Sequence, residues 1–312
     1  MSLFLERVKN YFIQEPLPHS AIQLASSYIS GIHVSAKEKK VKSHFILPLE
    51  KGVIEPSFHQ KNIKDPSLLE RRFKEGLDRL HLSERRVACL IPELSLKVFV
   101  FSFDSLPPSR KEREQLIRFR VKKQLPLLPD DARFSFDVVR SSNSLRVLAA
   151  VARSATIGEY EDFFARFNLK VRTLGIPSLS LSHLMAKHSE EDFLLVNIEE
   201  DFFSLLAILD SGVSLYRSKS FMAESQRNFS ELQRVEHIIK EVENTVNFVE
   251  DREKKRVSSF WVRLGLLEKA TESASLLREK SPFALMEMDA AKASGLGEKE
   301  RKMLSPLIGQ IL

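Results

Sequence analysis

Apolar and polar positions along the 312-residue chain fall into runs that predict a repeated unit with a separate segment between its two copies. From Ala21 to Val34 β-branched and other apolar residues dominate. The polar stretch Ser35 to Lys40 then breaks the run, and an alternating apolar run resumes from Val41 to Leu49, the pattern of a hairpin. A short extended piece follows at Val53 and Ile54. Asp65 and Pro66 supply an N-cap and a first-turn proline for a helix whose apolar stripe is Leu69, Phe73, Leu77 and Leu80. Val87 to Ile91 is a continuous apolar run of the buried-strand kind, ended by Pro92. The predicted local order is βββαβ.

The same order returns later. Phe193 to Ile208 is strand-like, Asp210, Ser211 and Gly212 make a turn, and Val213 to Arg217 resumes extended chain. Phe229 to Val249 places Leu232, Val235, Ile239, Val242, Val246 and Val249 at three- and four-residue steps, an amphipathic helix, before a strand over Val257 to Val262. A duplicated unit of this kind predicts two similar lobes around a cleft, the α/β architecture of actin-like and sugar-kinase proteins.

Between the copies, Lys97 to Phe103 alternates, Arg110 to Leu125 forms a charged helix, and Ala132 to Val139 and Leu145 to Ala152 are strand-like. A helix from Thr156 to Phe167 and extended chain from Lys170 to Leu174 complete a small α+β subdomain. The expected boundaries are 1–92 for the first lobe, with a C-terminal helix at about 298–312 returning to complete it, 93–170 for the inserted subdomain and 171–297 for the second lobe. At the start, Phe4, Leu5, Val8, Tyr11 and Phe12 recur at helical spacing with Arg7 and Lys9 opposite. This predicts a helix that either packs on its own domain or rests on a membrane surface.

Composition and charge narrow the classes only moderately. With 48 basic and 42 acidic residues the net charge of +6 permits attraction to nucleic acid or anionic lipid, but the two signs are interspersed. The basic clusters at Lys37 to Lys42, Arg110 to Arg113, Arg118 to Lys123 and Arg252 to Arg256 read first as solvated surface, with nucleic-acid binding a weaker alternative. A single cysteine, Cys89, excludes an intramolecular disulfide, leaves no CxxC pair and, inside an apolar strand, reads as inert. The longest apolar runs, such as Val147 to Ala152, fall well short of the roughly 18 to 20 residues that span a bilayer.

A nucleotide cleft between such lobes needs glycine turns whose amides approach phosphates, and carboxylates that hold magnesium. Neither hairpin has a glycine at its central turn. Glu199, Glu200 and Asp201 place three carboxylates where a triphosphate would need positive potential, and read as a solvated acidic turn rather than magnesium ligands. His237 and Glu241, four apart on the long helix, read as a helix face rather than a metal pair. GxSxG, HExxH, GxxxxGK[ST] and GxGxxG are all missing from the sequence. Phe99, Phe101 and Phe103 share one face of a strand, either core under the subdomain's helices or one wall of a peptide-binding groove.

Three stretches, Val87 to Pro107, Arg113 to Val139 and Val147 to Leu181, resemble the PilM family, the actin-like, FtsA-like cytoplasmic proteins of type IV pilus assembly. The resemblance covers about residues 20 to 255 in order. Arg118, Phe119 and Pro126 fall on the family's Arg-aromatic-Glu and Pro pattern, with Arg120 in place of its Glu. The chain departs from the family at the phosphate hairpins. The first hairpin's usual Asp and Gly are Gln23 and Ala25, and its usual Lys is Ser30. The second's Asp and Gly are Asn197 and Glu199, with Phe202 and Phe203 in place of its Thr. Ser26 and Ser27 are kept, and Ser258 to Gly265, at the place of the adenosine loop, holds one glycine.

The resemblance therefore implies an actin-like scaffold that has lost ATP as a cofactor, a pseudo-ATPase rather than an enzyme. As partner it implies a PilN-like bitopic inner-membrane protein, whose cytoplasmic N-terminal tail would enter a groove between the first lobe and the inserted subdomain, together with other pilus assembly proteins. The residues it marks for that groove are Phe99, Phe101, Arg118 and Phe119. The implied location is the cytoplasmic face of the inner membrane, in a type IV pilus or a related type II secretion system. An active actin-like ATPase or kinase is the competing reading.

Overall fold

The computed structural model describes residues 17–35, 40–82, 84–140, 145–186, 192–210, 212–221, 229–257, 259–290 and 293–311. The N-terminal helix predicted over Met1 to Ile13 lies outside them. Among the described residues the strands form two five-stranded sheets and one three-stranded sheet.

The first sheet is built from β1 (Ser20–Leu24), β2 (Tyr28–Val34), β3 (Val41–Pro48), β4 (Arg86–Leu90) and β8 (Lys170–Gly175), in the order β3-β2-β1-β4-β8. β1 runs antiparallel to β2, and β2 to β3, whereas β4 and β8 are parallel additions. The apolar run from Ala21 to Val34 is thus two strands with a tight turn inside it. Val53 and Ile54 lie off the sheet, and Ile54 makes only an isolated bridge to Ile63. Helix α1 (Pro66–Leu80) starts where predicted, with the Asp65 carboxylate accepting the Leu68 amide at 3.0 Å, and its Leu69, Phe73 and Leu80 are buried against this sheet.

The second sheet repeats the topology. β9 (Phe193–Glu199), β10 (Phe202–Leu209), β11 (Gly212–Ser220), β12 (Ser259–Gly265) and β13 (Leu285–Glu287) take the order β11-β10-β9-β12-β13, again three antiparallel strands and two parallel ones. Helix α5 (Glu231–Glu253) lies across it, opened by a reciprocal capping box between Ser230 and Gln233 and closed by Lys254 in the left-handed region. Its Val235, Ile238, Ile239, Val242, Val246 and Val249 are buried against β9, β10 and β12.

The third sheet, β5 (Lys97–Phe103), β6 (Arg133–Arg140) and β7 (Leu145–Ala152), has the order β5-β7-β6 and is antiparallel throughout. One face carries Phe101, Phe103, Val147 and Ala149 beneath Ile117 and Val121 of α2 (Arg110–Gln124). The other side meets the second lobe, where Arg146 Nη1 donates to the Leu209 carbonyl at 2.8 Å and Nη2 to Glu253 at 3.0 Å.

The expected boundaries need correction at one place. Helix α3 (Ser154–Ala165) and β8 belong to the first lobe, not to the insertion or the second lobe. Ile157, Tyr160, Phe163 and Phe164 of α3 are buried with Phe73 and Leu80, and β8 pairs with β4. An apolar helix face takes whichever core has room for it, and here that is the first lobe's open side, one strand beyond β4. Helix α4 (Pro177–Ala186) then leads to β9, α6 (Ala270–Lys280) lies between β12 and β13, and after the short α7 (Glu298–Met303) the C-terminal α8 (Ser305–Ile311) returns to the first sheet. Leu307 and Ile308 pack there on Ala21, Ile32, Ala88 and Leu90.

Candidate functional site

The two central hairpins, β1–β2 and β9–β10, bring their turns to the crevice between the lobes, at the ends of strands where open α/β sheets place ligands. The four positions that the sequence marks as altered phosphate-loop residues are all buried there. The Ala25 amide donates to the Tyr28 carbonyl at 2.9 Å, so this turn amide is used within its own hairpin. Gln23 Nε2 reaches across to Glu199 Oε1 at 3.3 Å and also donates to the Tyr28 hydroxyl at 2.7 Å.

At the centre of this contact stands Arg263, which β12 delivers beside β9 in parallel register, Arg263 opposite Asn197 and Gly265 opposite Glu199. Its side chain is fully buried, and its Nη1 donates to Glu199 Oε1 and, at 3.2 Å, to Asn197 Oδ1. Nη2 donates to the Tyr28 hydroxyl at 2.9 Å and to the Met303 carbonyl at 2.7 Å. The Tyr28 hydroxyl donates in turn to Glu199 Oε1 at 3.0 Å. One guanidinium thus joins β2 of the first lobe, β9 of the second and the end of α7. Gly265 is required beside it, because a Cβ there would fall on Arg263 Nη1 and Glu199 Oε2.

The electrostatics follow from burial. Burial pushes the Glu199 carboxyl up to about 7, against the pull of Arg263, and pushes Asp201, beside the Ser26 hydroxyl, up to about 6. Burial also opposes the Arg263 charge, but Glu199 and Tyr28 outweigh it and hold the guanidinium above its ordinary value. The solvated acidic turn expected at Glu199 to Asp201 is therefore corrected at two of its three residues. Glu199 is 2% and Asp201 6% exposed, whereas Glu200 faces solvent and pairs with Arg234 at 3.4 Å.

Asn197 extends the network. Its Nδ2 donates at 3.2 Å to Glu93, whose carboxylate also accepts the Ser178 amide at 2.9 Å and the Tyr216 hydroxyl at 2.7 Å. Burial raises the Glu93 carboxyl as well. Beside Met303 opens a cavity of about 830 Å³ with Leu264, Leu266, Ala270 and Ala274 on one side and Ile46 on the other. At its rim Lys302 meets Glu287 and Glu298 at 2.7 Å each, and Arg278 also pairs with Glu287, while Lys299 and Glu300 line it as well.

The partner residues marked by the sequence are separated by the fold. Phe99 and Phe101 stack on β5 with ring centroids 5.9 Å apart, Phe101 buried under α2 and Phe99 half-buried. Arg118 lies 4.0 Å over the Phe134 ring and pairs with Glu114 at 2.9 Å. Phe119 points the other way. It follows the inward-facing Ile117 by two residues, about 200° around the helix, and is 56% exposed. His237 packs edge-on to Phe203, and Glu241 pairs with Lys219 at 3.5 Å, so these two face different neighbours. Cys89 is buried, and burial pushes its thiol up.

Sequence reasoning missed Arg263 and Tyr28. A lone arginine inside the apolar run Phe260 to Leu264 was the available signal, since a charge on a central strand demands a buried partner.

No protein-family model matches the chain, and no curated protein matches it. Among solved structures it is similar to a chain of a "PilM-PilN type IV pilus biogenesis complex", at 14% identity and TM-score 0.77 over 95% of this chain and 98% of that one. It is also similar to a protein of Bacteroides thetaiotaomicron with an actin-like ATPase fold and unknown function, at 10% identity and TM-score 0.53 over 94% and 95% of the two chains. The duplicated sheets, the inserted subdomain and these likenesses together give the chain an actin-like fold of the PilM kind.

Proposed function

We propose that the chain is a non-catalytic scaffold of type IV pilus or related type II secretion assembly, working at the cytoplasmic face of the inner membrane. Its partner on this reading is the cytoplasmic N-terminal tail of a PilN-like membrane protein. The observation that carries the non-catalytic half is Arg263. Where a nucleotide's phosphates would bridge the two hairpin turns, a guanidinium from the chain itself bridges Tyr28, Asn197 and Glu199. Its charge is answered by Glu199, and the turn amide of Ala25 is spent on Tyr28, so a phosphate entering there meets a neutral, filled contact. The likeness to a PilM-PilN complex supports the partner half.

The test has two arms. A thermal-shift titration with MgATP and MgADP is expected to leave the melting temperature unchanged at millimolar nucleotide. A ligand at a hundredfold excess over its Kd would add about 2.7 kcal/mol, so a saturating, magnesium-dependent shift would sink the pseudo-ATPase reading in favour of an ATP-regulated protein. Fluorescence anisotropy of a labelled PilN-type tail peptide is expected to report saturable binding that a Phe99→Ala, Arg118→Ala variant weakens. Unaltered binding by that folded variant would remove the two residues from the groove, and no binding by the parent chain would remove the partner.

A further inference from the structure

The outward face of α2 is left uncovered by the network described above. This helix sets Arg110, Lys111, Arg113, Arg118, Arg120, Lys122 and Lys123 against only Glu112 and Glu114, seven basic residues against two acidic. Its inner face is spent on Ile117 and Val121 in the small sheet's core. Phe119 stands in the middle of the opposite face, 56% exposed, with Lys123 Nζ 4.6 Å from its ring. Just past the helix, Leu127 is 90% exposed. Glu114 is engaged by Arg118 and Asp130 by Lys122, and the Arg120 guanidinium lies 5.4 Å from the Phe103 ring. Lys111 and Lys123 are thus the cations left facing solvent around Phe119, with the exposed Glu112 two turns before it as the one acid on that face without an ion pair among the described residues.

We infer that the outward face of α2, continued through Leu127, rests on an anionic lipid surface. The chemistry is that of an interfacial amphipathic element, with large apolar side chains projecting from a ring of cations. A convex helix face with two separate apolar projections offers a folded peptide no groove. A bilayer interface needs none, since each side chain dissolves between headgroups. A phosphate backbone of nucleic acid would use the cations but leave Phe119 and Leu127 in water. Each cation within reach of an anionic surface raises partitioning about fivefold at low salt, and the effect fades beyond a Debye length. The inference takes Phe119, which the resemblance marks for the tail groove, for the lipid-facing side instead, and leaves Phe99, Phe101 and Arg118 on the sheet side to the tail-binding reading.

The test is co-sedimentation of the full chain with vesicles of phosphatidylcholine alone and of phosphatidylcholine with about a third phosphatidylglycerol, at low and raised salt. Binding is expected to the anionic vesicles only and to weaken as salt rises. Lys111→Glu with Lys123→Glu is expected to reduce it by twentyfold or more, about fivefold for each cation removed. Phe119→Ser with Leu127→Ser is expected to reduce it about a hundredfold, roughly tenfold for each large apolar side chain withdrawn. Equal binding to neutral vesicles, or none to anionic ones, would overturn the inference, and neither comparison needs a variant to fold. Anionic binding that survives both variants would place the contact elsewhere, residues 1–13 included. Loss with the charge variant alone would mean attraction without seating. Preferential binding of duplex DNA or an acidic peptide would assign the face to that class of partner instead.

Discussion

Replacing Arg263 by alanine tests whether the contact between the lobes is held as the geometry indicates. The side chain is fully buried, and its removal leaves Glu199, itself 2% exposed, without its counter-charge. Breaking a buried pair from one side costs about 3 to 5 kcal/mol, because the remaining charge is neither solvated nor answered. The Tyr28 hydroxyl and the Met303 carbonyl lose a donor in the same step. For 312 residues melting in one transition at about 2.1 cal/mol/K per residue, a loss of about 4 kcal/mol lowers the melting temperature by about 6 °C. Glu199→Gln with Arg263→Met keeps the volume and removes both charges, and is expected to recover the stability to within about 1 to 2 kcal/mol. Thermal and urea unfolding followed by circular dichroism read these variants together with the Glu199→Gln and Arg263→Met singles, whose non-additivity in the double isolates the pair. An Arg263→Ala variant no less stable than one at the exposed Arg79, where about 0.5 kcal/mol is the ordinary cost, would refute the reasoning.

Three further outcomes are expected. The Glu199 carboxyl goes from 4.5 in the unfolded chain to about 7 in the folded one, so between those values the folded state holds the extra proton and stability falls as pH rises, levelling above about 7. Melting curves from pH 5 to 8 should therefore show a smaller decline in Glu199→Gln than in the parent, while the opposite contribution of His33, whose value burial lowers, cancels in the difference. Gly265→Ala should destabilise the parent chain through the collision with Arg263 and Glu199, and much less in the Glu199→Ala, Arg263→Ala background, as paired urea titrations would report. Phe101→Ala should cost about 3 to 5 kcal/mol as a core truncation and Phe119→Ala under about 0.5, read by the same denaturation, because the first ring lies under α2 and the second faces solvent.

The elements whose signals are local were legible in the sequence, and those set by distant partners were not. Helix α1 could be read from Asp65, Pro66 and a stripe ending at Leu80, and α5 from its three- and four-residue steps. The duplicated order of strands was visible too, because each unit carries its own alternation. The place of α3 and β8 was hidden, since it depends on β4 being free on one side to accept a parallel neighbour from beyond the whole insertion. The burial of Glu199 was hidden for the same reason. An acidic turn looks solvated until a guanidinium 64 positions later in the chain is brought against it, and Tyr28 meets that guanidinium across 235 positions. Residue identities at Gln23, Ala25, Asn197 and Glu199 told what the hairpins lack, but not what fills the space.

That filling bears on how two lobes of this fold are held together. A nucleotide that bridges two lobes favours the closed arrangement only by its differential affinity for it, and only at concentrations near or above its Kd. A bridge made of Arg263, Glu199 and Tyr28 carries no such concentration term, since donor and acceptors belong to one chain. Asn197 ties that bridge to Glu93, and Glu93 ties it to the start of α4 and to β11, whose sheet also holds the small subdomain through Arg146. On the proposed reading, the groove between the first lobe and the subdomain is therefore held in one geometry by side chains that are always present, and its affinity for a partner's tail should not change when nucleotide is added or withdrawn.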